Sequence, residues 1–60
     1  MKSQKIRTTR VIILHEPFSW PLTPFGIYEL LENGAIGREL ARARSRIEAL
    51  KIIRQEGWVY

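Results

Sequence analysis

The spacing of apolar residues changes several times between Ile6 and Tyr60, and each change predicts a new element. Residues 6–14 are rich in Ile, Val and Thr, with Ile6, Thr8, Ile12 and Leu14 on one face, and predict a strand. The unbroken run Val11–Leu14 predicts burial on both faces at its end. Pro17 and Pro21 then forbid regular structure. Between them and just beyond, Phe18, Trp20 and Leu22 alternate with other residues, which predicts an extended loop laid over the core rather than an aromatic platform. Thr23-Pro24 has the form of a helix start, and Asn33-Gly34 that of a helix stop. With Ile27, Leu30 and Leu31 as the apolar stripe, they predict a helix over 24–33. Further on, Ile36, Leu40, Ala43, Ile47 and Leu50 fall on one helical face. Ser45 precedes Glu48 at capping-box spacing, which predicts a fresh helix over 45–56 after a helix over 36–43. One long helix over 36–56 satisfies the same periodicity. Gly57 closes this run. Residues 58–60 predict a short strand that must pair with residues 6–14 or with another chain. The expected architecture is one small domain over 1–60, α+β and mainly helical.

The C-terminal part resembles the helix-turn-helix family of DNA-binding domains, particularly its winged-helix branch, over about residues 24–60. Leu30-Leu31-Glu32-Asn33-Gly34 is similar to the end of that family's first helix. Ile36, Gly37 and Leu40 fill the places of its short second helix, and Ile47 and Leu50 those of its third. Glu56-Gly57-Trp58-Val59 looks like the exit toward the wing. The resemblance implies that residues 45–56 form a recognition helix lying in the major groove of double-stranded DNA. It implies base reading by Arg44 and Arg46, a base or phosphate contact from Ser45, and phosphate contacts from Arg38, Arg42 and Lys51.

Charge supports the same expectation. The net charge is +4, unevenly spread. Lys2, Lys5, Arg7 and Arg10 make a basic arm without an acid among them, able to add phosphate contacts. Residues 11–37 carry Glu16, Glu29 and Glu32 and no Lys or Arg, and the rest is again basic. Such a distribution is either a solvated surface or a polyanion footprint. A domain of this size buries only about 60% of its unfolded-chain surface, so a second copy would add stability. With Ile47, Leu50 and Ile53 inward, Ile52 should project to solvent and, with Trp58, mark a homodimer contact.

Other chemistries are poorly supplied. The chain has no Cys and one His. His15 beside Glu16 on extended backbone points away from it, and a lone His does not make a metal site. The four glycines match no phosphate-binding loop. No cofactor, metal or catalytic residue is expected. The four-residue apolar run Val11–Leu14 is too short for a signal h-region or a membrane span, so a soluble, cytoplasmic protein without membrane contact is expected. The functional expectation is a non-enzymatic DNA-binding protein: a transcriptional regulator or recombination accessory factor, of a size that suits a phage or mobile element. The alternative is a protein-binding module whose arginines meet an acidic partner.

Overall fold

Thr23-Pro24 and Asn33-Gly34 bracket a strand, not a helix. The computed structural model describes residues 8–60. It contains strands β1 (Val11–His15), β2 (Phe25–Leu30) and β3 (Ile36–Ala43), then one helix, α1 (Arg46–Glu56). The strands form one antiparallel sheet in the order β1-β2-β3. At 40% strand and 21% helix the architecture is not mainly helical. The helices expected over 24–33 and 36–43 are therefore corrected to β2 and β3, and with them the helix-turn-helix architecture.

The physical reasons are local. In β2, Phe25, Ile27 and Glu29 alternate with Gly26, Tyr28 and Leu30, a period of two rich in aromatic and β-branched residues. Asn33-Gly34 is the tip of the β2–β3 hairpin. Gly34 takes a left-handed φ of 88°, the Gly34 N–H donates to Leu31 O (2.9 Å), and the Leu31 N–H donates to Ala35 O (2.9 Å). Asn33 Oδ1 accepts from the Ala35 N–H at 2.9 Å, an Asx turn that locks this geometry. Pro24, expected at a helix start, closes the β1–β2 loop: its carbonyl accepts from the Glu16 N–H. Residues 36–43 favour helix by propensity, yet β2 pairs with them from Phe25↔Ala43 to Leu30↔Ile36, with register shifts either side of Tyr28. Tertiary pairing outweighs propensity here.

The helix over 46–56 opens as its sequence suggests. Ser45 Oγ accepts from the Glu48 N–H at 3.1 Å, although Glu48 Oε1 reaches the Arg44 N–H (2.8 Å) rather than that of Ser45. Gly57 ends it with a left-handed φ of 77°, and the Trp58 N–H donates to Ile53 O at 3.0 Å. Ala49 and Ile53 pack on Val11, Ile27 and Ala43 to form the core, with Ile27 at 0% exposure and Ile13, Phe25, Leu40, Ala41, Ile52 and Trp58 around it. Val59 lies parallel to Arg10 beside β1: its N–H donates to Thr9 O and its carbonyl accepts from the Val11 N–H, both at 2.8 Å.

Two further expectations change. Ile52 is half-buried against the core, whereas Ile47 is 71% exposed and Leu50 is also exposed. The phase of α1 is set afresh at Ser45, so a stripe extrapolated from Ile36 through a strand cannot hold. Trp58 is likewise packed on the core. The loop residues Phe18 and Leu22 are 99% and 84% exposed, so they do not cover the core.

Candidate nucleic-acid interface

Two groups of side chains are built by this fold, one on each face of the sheet. On the face away from α1, Leu14, Gly26 and Arg42 share a row of the ladder, next to the row of Ile12, Tyr28 and Glu39. The Arg42 side chain is only 10% exposed and lies flat across Gly26; a Cβ at that glycine would sit 2.7 Å from Arg42 Nη1. Arg42 Nε donates to the Thr23 carbonyl (2.9 Å), and Nη1 donates to Glu39 Oε1 (3.1 Å) and Tyr28 Oη (3.3 Å). Nη2 lies 3.0 Å from Glu16 Oε1, but its N–H bonds are not aimed at that oxygen, so this contact is an ion pair without a hydrogen bond. The indole of Trp20 stacks on the guanidinium, 4.7 Å from centroid to Cζ. Burial alone would weaken the proton's hold on Arg42; the hydrogen bonds to Tyr28 and Glu39 and the adjoining Glu16 carboxylate outweigh it and raise the pKa. The Tyr28 phenol, which donates to Glu16 Oε1 (2.9 Å), is raised above its ordinary 10.0, first by that bond and then by burial. Arg42, expected to meet phosphate, has Nε, Nη1 and its charge committed inside the protein.

The second group lies on and around α1. Ile47, Leu50, Lys51 and Arg54 follow the i, i+3, i+4, i+7 spacing of one helical face, opposite the buried Ala49 and Ile53. Arg44 and Ser45 continue this surface at the helix start, and both are exposed. Arg46 turns toward Tyr60, donating to its hydroxyl at 2.7 Å with the guanidinium 5.5 Å from the ring. Among the described residues, Arg44, Arg46, Lys51 and Arg54 form no salt bridge; the pairs are Arg42 with Glu16 and Glu39, and Arg38 with Glu29 at 3.8 Å. Arg38 is on β3, held about 20 Å from Arg44 by the extended strand between them, and is largely exposed. Arg10 is exposed beside Val59. Lys2, Lys5 and Arg7 lie outside the described residues.

The structure thus brings together Arg44, Ser45, Arg46 and Lys51, separates Arg38, and removes Arg42. Sequence reasoning missed Arg54 and the outward Ile47 and Leu50. Counting the helical phase from the Ser45 cap, instead of from Ile36, would have found them. His15 stacks on Phe25 with ring centroids 4.6 Å apart, and no group of three or more His, Cys, Asp or Glu able to hold a metal occurs among the described residues. No helix among them is long and apolar enough to cross a membrane. Compared with known proteins, the chain matches no family model, no curated protein and no solved structure.

Proposed function

We propose that this chain is a small, non-enzymatic, cytoplasmic protein that binds double-stranded DNA through α1, as a transcriptional regulator or recombination accessory factor. The observation that carries the reading is the set of cations on and beside α1, Arg44, Arg46, Lys51 and Arg54, with no carboxylate paired to them among the described residues. The 11-residue α1 is about 16 Å long, short enough to lie within the major groove. Arg44 and Arg46 at its N-terminal end are the base-reading candidates; Lys51 and Arg54 meet phosphates, which position the helix without specifying sequence.

The test is binding of the full chain to duplex DNA, followed by fluorescence anisotropy across a salt series. Four or five neutralised phosphates give a log–log slope of about −4. Arg44→Ala and Arg46→Ala each relax preference at a favoured base by about 1–3 kcal/mol, whereas Lys51→Ala weakens specific and random duplexes alike. A folded chain that shifts no duplex at low salt and tens of micromolar protein overturns the reading. The 71% exposure of Ile47 among these cations favours a second reading, a module for an acidic protein partner or a second copy, which then takes over.

A further inference from the structure

Ile47 stands in water at the centre of the α1 surface. It is 71% exposed in the first turn of the helix. Arg44, Ser45, Glu48 and Lys51 line an open hollow with it, and Leu50, Lys51 and Arg54 line the next, so Ile47 borders both. The fold does not use this side chain, since the helix buries Ala49 and Ile53 on its opposite side. Helix formation does not use it either: a β-branched side chain is less favourable than alanine at an exposed helical position.

The rims of these hollows are positive on balance. Arg44, Lys51 and Arg54 form no salt bridge among the described residues. The carboxylate bordering them is Glu48, which is tied to the helix start: its Oε1 accepts from the Arg44 N–H at 2.8 Å. Three cations therefore surround Ile47 against one acid. A polyanion is drawn to the rims, and Ile47 meets whatever lies between its charged strands.

We infer that Ile47 is a specificity-determining residue that packs on the 5-methyl group of a thymine. This rests on the DNA reading above, which lays α1 in the major groove. There Ile47 exchanges water for base edges. Those edges are rows of hydrogen-bond donors and acceptors, and a hydrocarbon set against them strips their water without replacing its bonds. The one apolar group that the natural bases offer in that groove is the thymine methyl. A site with thymine beneath the first turn of α1 therefore gives Ile47 an apolar partner, and a site without it leaves a polar edge dehydrated.

The experiment uses the full chain, a mixed-sequence duplex and a twin in which uracil replaces every thymine. The two carry the same charge and the same hydrogen-bonding edges, and differ only in the methyl groups. In fluorescence anisotropy the wild type should bind the uracil twin about fourfold more weakly, the worth of one buried methyl group. This comparison needs no variant. Ile47→Ala, at an exposed position where alanine favours the helix, should bind both duplexes alike, near the wild-type affinity for the uracil twin. Its salt slope should be unchanged, because no charge is altered. Equal binding of the two duplexes by the wild type overturns the inference and leaves DNA binding standing. A thymine preference that survives Ile47→Ala assigns the methyl to another side chain and overturns it too. Ile47-dependent dimerisation in sedimentation, without a thymine preference, assigns the residue to a protein contact. No binding to either duplex removes the DNA reading and this inference together.

Discussion

Arg42 shows how one side chain can change roles between sequence and structure. In the sequence it is one more base in a basic run. In the fold it is nine-tenths buried, crosses Gly26 and joins β3 to the β1–β2 loop. Removing one partner of a fully buried ion pair costs about 3–5 kcal/mol. Glu16 and Glu39 are 30% and 38% exposed and can be rehydrated, so Arg42→Ala is expected to cost less, about 1–2 kcal/mol. Urea unfolding checks this, and Arg42→Lys should fall between, keeping the charge but losing the fork and the stack. Tyr28 gives the pH dependence of the same cluster. Its neutral phenol is favoured in the folded state, so the contribution is fully present below pH 10.0 and is lost as pH rises through the higher folded value. Tyr28→Phe should therefore flatten the alkaline loss of stability, measured as melting temperature against pH.

At the scale of elements, what could be read depended on whether the governing interaction was local. Ser45 caps α1 through a bond three residues long, and the signal was legible because both partners lie in one turn. Ser45→Ala is expected to cost about 1 kcal/mol in a denaturant titration. β2 and β3 were not legible as strands by helix-style stripes, since Ile27, Leu30 and Leu31 fit a stripe as well as a ladder. The missed signal was Asn33-Gly34 between apolar runs, which marks a hairpin as strongly as it marks a helix end. β3 is harder: Arg38-Glu39-Leu40-Ala41-Arg42 favours helix, and only its pairing with β2 makes it a strand. The cations of the candidate interface were mostly legible as residues. Their grouping was not, because it depends on the phase of α1 and on which carboxylates Arg42 takes.

Across the whole molecule, charge is uneven. Glu16 and Glu39 share the one Arg42 on the face away from α1, whereas α1 and its start carry Arg44, Arg46, Lys51 and Arg54 against Glu48 and Glu56. The excess of positive charge on this chain is thereby concentrated at α1. The core is small, centred on Ile27 with Val11, Ala43, Ala49 and Ile53, so each contact outside it matters to a marginal balance. The bridge from Val59 to Thr9 and Val11 is one of these. It has a consequence for synthesis. The two hairpins join neighbouring segments and can close as soon as they leave the ribosome, whereas Val59 must travel back past the whole sheet to reach its partner. Of these contacts the clasp on β1 closes the longest loop and is expected to form last. Until that clasp shuts, the outer edge of β1 stays open to other nascent chains on the same polysome.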